Sequence, residues 1–271
     1  MPPSRSPVPL LIVVAALAAG VFSTAGTAGG PVHALAAASS PVVATAPPDP
    51  VPATASPAPT PQATGPIVAL GDSLTYGYGT GVTAQFFGPA PAHSYPWDME
   101  RDLGIPVVNA GISGTTAAEV LDPVSAPEPR PVALRLPALL ALHPRLMVVA
   151  FGTNEAANYG WSIARTVASF HVLLARIAAA GVPIVLVGTH VDCTAEPCGG
   201  SERAAGAHPA VYTTAWDAAL SALAAEYGAG LVLDVQRGLT AADMTDWIHC
   251  DAQGYRLMAA RIEAAVRARL G

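Results

Sequence analysis

The sequence predicts an α/β protein: a three-layer α/β/α sandwich built on a five-stranded parallel sheet. Two observations carry the prediction. From residue 66 onward, short runs that are apolar throughout alternate with amphipathic helical stretches. A strand that is apolar on every side chain is buried on both faces, which is the habit of parallel sheets covered by helices. Five such units fit in the 206 residues from Pro66 to Gly271, an ordinary size for that architecture.

In chain order the strand runs are Ile67–Leu70, Pro106–Val108, Leu146–Phe151, Ile184–Val187 and Leu231–Val235. Each is too short for a helix and rich in aliphatic residues. The helical patterns between and after them are Tyr95–Leu103, Val132–Leu142, Trp161–Ala180, Val211–Tyr227 and Gln253–Leu270. Pro137 sits best in a first helical turn, where its missing N–H costs nothing. Asp251 is placed to cap the last helix.

Residues 1–65 are of another kind. They hold two charged residues, Arg5 and Asp49, and 13 of the 27 prolines. Arg5 precedes an unbroken apolar run of 13 residues, Leu10 to Phe22. That is about 20 Å of helix at ~1.5 Å per residue, whereas a bilayer core needs roughly 20 residues, so no stable membrane span is expected. A positive start, a short apolar run and small residues after it read as a secretory signal. Cleavage fits after Ala28 or after Ala36; the second is preferred, giving a signal peptide over 1–36, with an uncleaved anchor as the alternative. Residues 37–65, with eight prolines from Pro41 to Pro61, predict a disordered, extended linker, because proline fixes φ and lacks a backbone donor. The folded domain is then 66–271, and the expected location is secreted or periplasmic.

The domain carries 12 arginines against 18 acidic residues, and the chain has no lysine. A nucleic-acid partner, which demands a basic stripe, is not expected. With 52% apolar residues the chain has ample material for a core.

In parallel α/β sheets, sites form beyond the carboxyl ends of the strands. The first run leads into Gly71-Asp72-Ser73-Leu74 and the second into Asn109-Ala110-Gly111-Ile112-Ser113-Gly114. The third leads into Gly152-Thr153-Asn154-Glu155, the fourth into Gly188-Thr189-His190-Val191-Asp192-Cys193, and the fifth, after a loop, into Asp246-Trp247-Ile248-His249. A serine hydroxyl is a poor nucleophile until a base takes its proton. His249 supplies that base, since imidazoles as a class titrate near neutrality. Asp246, three residues earlier, reaches the other ring nitrogen and sets the tautomer. Asp243 and Asp251 compete for that role, and Asp246 is preferred. The backbone N–H groups of Ser73 and Gly114 and the side-chain amide of Asn154 are the expected oxyanion donors, each worth ~10²–10³ in rate. Singly, these strings are common turns or caps. Together, in chain order, they describe an acyl-transfer site. No Gly-x-Ser-x-Gly string occurs, which sets aside the α/β-hydrolase arrangement.

These residues carry a resemblance to the SGNH hydrolase (GDSL esterase/lipase) superfamily. Gly71-Asp72-Ser73-Leu74 resembles its nucleophile block and Asn109 to Gly114 its second block. Gly152-Thr153-Asn154 resembles the third block and Asp246-x-x-His249 the last. The resemblance spans about 66–271. It implies a flavodoxin-like strand order of 2-1-3-4-5 and an ester hydrolase needing no metal or other cofactor. Two positions depart from the pattern: Glu155 stands where the third block usually has Asp, and Cys250 where proline often follows the histidine.

The remaining expectations concern the surroundings of the site. Cys193 and Cys198 enclose a short loop and are the favoured disulfide, with Cys250 as the odd thiol; a bond between Cys193 and Cys250 is the alternative. His190, Asp192 and Cys193 lack metal-ligand spacing, so no metal site is expected. Tyr76, His190 and Trp247 are candidate pocket residues, and Tyr78, Tyr159 and Trp161 also flank the catalytic strings. The reading is a secreted serine esterase acting through an acyl-enzyme on Ser73. Its substrate is a small-molecule or glycan ester, and the absence of a long apolar insertion favours short acyl chains. Carbohydrate (acetyl) esterase, lysophospholipase or thioesterase action uses the same chemistry. A non-catalytic glycan-binding module is the alternative from another class.

Overall fold

Strand β1 (Ile67–Gly71) is an interior strand of the sheet, and its side chains enter both cores. Successive residues point to opposite faces. Val68 and Leu70 enter one apolar cluster, Ile67 and Ala69 the other, and all four are buried. The same alternation continues in β3 (Leu146–Ala150), where Met147 and Val149 face the first cluster and Leu146 and Val148 the second. Burying each large aliphatic side chain of this kind is worth roughly 1.5–3 kcal/mol. With β2 (Val107–Gly111), β4 (Ile184–Val187) and β5 (Gly230–Val232), the five strands form one sheet in the order β2-β1-β3-β4-β5. All four pairings are parallel.

The protein is seen here as a computed structural model that describes residues 64–81, 91–122, 131–188, 209–246 and 248–271. Among these residues the helices are α1 (Ser73–Tyr76), α2 (Tyr95–Leu103), α3 (Ala117–Leu121), α4 (Leu136–Leu140), α5 (Thr153–Ala157), α6 (Ile163–Ala179), α7 (Pro209–Tyr227) and α8 (Ala252–Leu270). Helices α3, α6 and α7 cover the first face, supplying Val120, Phe170, Leu173, Leu174, Trp216 and Leu220. Helices α2 and α8 cover the second with Tyr95, Met99, Tyr255, Met258 and Ile262. In α6 the buried positions Thr166, Phe170, Leu173, Leu174 and Ile177 follow the three-and-four spacing of one helical stripe. Asp251 caps α8, its carboxylate accepting from the N–H groups of Gln253 and Gly254 at 2.9 Å each. No helix among the described residues is long and apolar enough to cross a membrane.

The structure moves some expected boundaries. The helix read over Val132–Leu142 is two pieces, a 3-10 turn at Val132–Leu134 and α4, separated by extended Arg135. Pro137 falls in the first turn of α4, where its missing donor is harmless. The second strand does not end at Val108 but runs to Gly111, so Asn109, Ala110 and Gly111 pair with Ala69, Leu70 and Gly71. The fifth strand is only Gly230–Val232. The short helices α1, α3 and α5 carry too few apolar residues to show a period in sequence. The leader, the linker to residue 63, and His190, Cys193, Cys198 and Trp247 lie outside the described residues.

Candidate active site

The first strand ends in a turn whose glycine has no room for a side chain. A Cβ on Gly71 would lie 2.0 Å from Thr75 Oγ1 and 2.5 Å from the Ala150 carbonyl oxygen. Asp72 then caps α1, accepting from Leu74 N–H at 2.9 Å. Ser73 is therefore the first residue of α1, where backbone N–H groups have no intrahelical acceptor. Its side chain is nearly buried, 7% exposed.

A closed loop delivers the histidine. Met244 bridges to Cys250, and both the N–H and the hydroxyl of Thr245 donate to the His249 carbonyl, at 2.8 and 3.1 Å. Within the loop, Asp246 Oδ1 accepts from the N–H groups of Ile248 and His249 at 2.8 and 2.7 Å. Its Oδ2 lies 2.7 Å from His249 Nδ1. His249 Nε2 lies 2.9 Å from Ser73 Oγ. The three side chains thus form one continuous relay, with Asp246 at its outer end. Partial burial works to raise the pKa of Asp246. The hydrogen bonds from the His249 ring and from the two backbone N–H groups outweigh it, and the net shift is downward. Asp243, the rival acid, is instead bonded to Thr240 and closes a 3-10 turn.

The other expected donors sit on the turns after β2 and β3. Asn154 lies in the first turn of α5, directly after β3. Its Nδ2 donates to the Thr115 carbonyl at 2.9 Å and stands 3.4 Å from Asp72 Oδ2. An amide nitrogen carries two hydrogens, and the second contact is long enough to be weak. Gly114 adopts the left-handed backbone, φ +80°, in the turn between Ile112 and Thr115. Its carbonyl accepts from the Tyr159 hydroxyl at 3.4 Å. Nearby, Asn109 stays in its strand and donates from Nδ2 to the Thr75 and Tyr76 carbonyls at 2.9 and 3.3 Å, tying off the end of α1.

Two buried carboxyls lie behind this surface. Asp72 has its pKa pushed up to about 8, chiefly by burial, with the Glu155 charge adding to it and the Leu74 N–H opposing. Glu155 is pushed up to about 7, again by burial first, against bonds from backbone N–H groups. Its Oε1 accepts from Ala117 N–H at 2.8 Å and its Oε2 from Gly152 N–H at 2.9 Å. The longer acid at this position therefore joins the β3–α5 turn to the start of α3. Sequence reasoning marked Glu155 as a departure from the family pattern but did not anticipate this bridge.

Tyr76 is a correction: it is buried, 1% exposed, so it is a core residue and not a pocket wall. Two residues on, Tyr78 is the aromatic beside the histidine, its ring centroid 4.5 Å from that of His249. Tyr76 is the last residue of the one-turn α1, and Tyr78 lies beyond its left-handed cap at Gly77, so no helical period separates the two in sequence. Cys250 is a free, fully buried thiol among Met244, Met258 and Gln236, so its pairing with Cys193 is not formed. Burial pushes that thiol up to about 12. Gln236, which sequence reasoning did not single out, donates to the Ile248 carbonyl at 2.9 Å. Among the described residues no cluster of three or more His, Cys, Asp or Glu has the geometry of a metal site.

A serine, a histidine and a carboxylate in one hydrogen-bonded relay on this sheet fit the chemistry of a hydrolase that works on acyl groups. The chain belongs to the GDSL-like lipase/acylhydrolase family, which matches residues 69–257. Solved structures share the fold. A carbohydrate acetylesterase family member from Sinorhizobium meliloti is 22% identical with a TM-score of 0.57, covering 76% of this chain and 99% of that one. A carbohydrate acetylesterase, Est24, from the same organism is 18% identical at 0.57, covering 74% and 98%. The psychrotrophic esterase EstA from Pseudoalteromonas sp. is 17% identical at 0.55, covering 75% and 97%. The comparison with curated proteins found no match.

Proposed function

We propose that this acylhydrolase is an extracytoplasmic serine esterase that hydrolyses carboxylic esters of short acyl chains through an acyl-enzyme on Ser73. The observation that carries the reading is the relay itself: Ser73 Oγ 2.9 Å from His249 Nε2, and His249 Nδ1 2.7 Å from Asp246. Ser73 Oγ attacks the ester carbonyl as its proton passes to His249 Nε2. Asp246 holds the ring in the accepting tautomer and stabilises the imidazolium. The N–H groups of Ser73 and Gly114 and the Asn154 amide receive the oxyanion, each worth about 10²–10³ in rate. The proton then passes to the leaving alcohol. A water repeats the sequence on the acyl-enzyme, giving the carboxylic acid and restoring Ser73.

Secretion rests on the leader, Arg5 followed by Leu10–Phe22 and the small residues to Ala36. Acetylated carbohydrate is the alternative substrate of the same chemistry, favoured by an extracytoplasmic location and by the two carbohydrate acetylesterases of the same fold. The test is hydrolysis of a p-nitrophenyl ester series, acetate to palmitate, by residues 37–271 and by Ser73→Ala. Activity greatest on the shortest chains and lost in the variant is expected. A loss of only a few-fold would remove Ser73 from the nucleophile's role, and a preference for palmitate would overturn the short-chain assignment. Higher kcat/KM on an acetylated sugar than on ethyl acetate would select the carbohydrate substrate.

A further inference from the structure

The segment after α1 is tied to both halves of the relay. Tyr78 N–H donates to the Ser73 carbonyl at 3.1 Å, so its backbone belongs to the nucleophile's turn. The Tyr255 hydroxyl of α8 donates to the Tyr78 carbonyl at 2.8 Å. The next residue, Gly79, has φ +101° and presses against the base's loop: a Cβ there would stand 2.6 Å from both the Cys250 carbonyl oxygen and Thr245 Oγ1. Tyr78 is thus held on three sides, and its ring lies over the His249 imidazole, centroids 4.5 Å apart and planes tilted by 43°. Resting on the assignment of His249 as the base, we propose that Tyr78 is a positioning residue of that base. Its ring keeps the imidazole turned so that Nε2 meets Ser73, and its π face stabilises the imidazolium that forms as Ser73 attacks.

The physical reason is the ring quadrupole. A cation within about 6 Å of a tyrosine centroid is attracted to its face, and His249 becomes a cation only while the tetrahedral intermediate exists or when it takes a proton from solvent. The same attraction therefore appears in two measurements, as rate and as the position of the acid limb of the pH profile. The other titratable and charged groups around the imidazole stay the same when Tyr78 is changed. Asp246 lies on the same loop, Ser73 on α1, and Asp72 caps that helix. Asp243 and Asp251 flank the loop, bonded to Thr240 and to the start of α8. The Cys250 thiol is turned into the core, and Tyr255 is spent on the Tyr78 carbonyl.

The experiment is kcat/KM for ethyl butyrate between pH 5 and 9, by pH-stat, for the wild type, Tyr78→Phe, Tyr78→Trp and Tyr78→Leu, with melting temperatures for each. Tyr78→Leu should lower kcat/KM about two- to fivefold and move the acid limb down by about half a pH unit, the two being one attraction read twice. Tyr78→Phe should keep both at wild-type values, since the face and not the hydroxyl acts. Tyr78→Trp, which also keeps a face, provides the aromatic comparison should the leucine variant not fold: its acid limb should lie at or above that of the wild type. A fall in rate with an unmoved acid limb, or a phenylalanine variant as impaired as the leucine one, would overturn the proposal. His249→Ala separates the two levels. If it keeps substantial activity, the assignment of the base fails; if it abolishes activity while the Tyr78 series is flat, only the role of Tyr78 fails.

Discussion

Replacing Asp246 with asparagine tests the relay at its most informative point. The carboxylate has two duties, and the structure separates them. Its Oδ1 accepts two backbone N–H groups, and its Oδ2 faces His249 Nδ1. In Asp246→Asn the side-chain oxygen can keep both backbone bonds, so the loop stays closed, but the NH2 then faces Nδ1. The imidazole must accept there and carry its proton on Nε2, which can no longer take the proton of Ser73. Turning the amide over restores the tautomer and forfeits two hydrogen bonds, about 3 kcal/mol, or about 100-fold in population. Loss of the charge-assisted bond to the imidazolium adds about 2 kcal/mol, about 30-fold. Together kcat/KM should fall by about 10³–10⁴, with KM and melting temperature little changed. Initial rates on a p-nitrophenyl ester, with thermal melts of the same samples, read both. Activity within tenfold of wild type, or an equal loss in Asp243→Asn, would refute Asp246 as the orienting acid.

Three further outcomes follow from particular contacts. Gly152 has φ +117°, and a Cβ there would lie 2.7 Å from Trp216 Nε1, so Gly152→Ala should cost about 2–4 kcal/mol in denaturant unfolding. Asp72 holds a proton when folded up to about pH 8 but not when unfolded above its ordinary 3.8. The native state then binds more protons, so stability should fall as pH rises from about 4 to 8. Asp72→Asn, which keeps the acceptor for Leu74 N–H, should flatten that slope in urea melts at pH 5 and pH 8; an unchanged slope would count against the buried proton. Gln236→Leu removes the donor to the Ile248 carbonyl and should lower kcat about tenfold, a few degrees of melting temperature accompanying it.

The architecture and the chemistry-bearing residues were legible in sequence for one physical reason. Strands buried on both faces must be apolar at every position, so Ile67–Leu70, Leu146–Phe151 and Ile184–Val187 stand out without alignment. Side chains at their carboxyl ends share one edge of the sheet once the strands are parallel. Asp246 and His249 are near in sequence, so their pairing is local, and the loop bonds of Asp246 could be anticipated from spacing alone.

What depended on tertiary structure was everything decided by which face a short segment shows to a neighbour. The single turn of α1 buries Tyr76, the chain beyond its Gly77 cap lays Tyr78 over His249, and no period can be read from four residues. Asn109 looks like a loop residue but completes a strand, because its partners across the ladder are Ala69 and its neighbours in β1. The extra methylene of Glu155 has meaning only once Gly152 and Ala117, 35 residues apart in sequence, are brought together under it. Sequence determined the period of burial and which candidate reacting groups follow the strands, since both are properties of single residues and their spacing. The distances between nucleophile, base and supporting shell came from packing across the sheet edge, which is set by contacts between residues far apart in the chain.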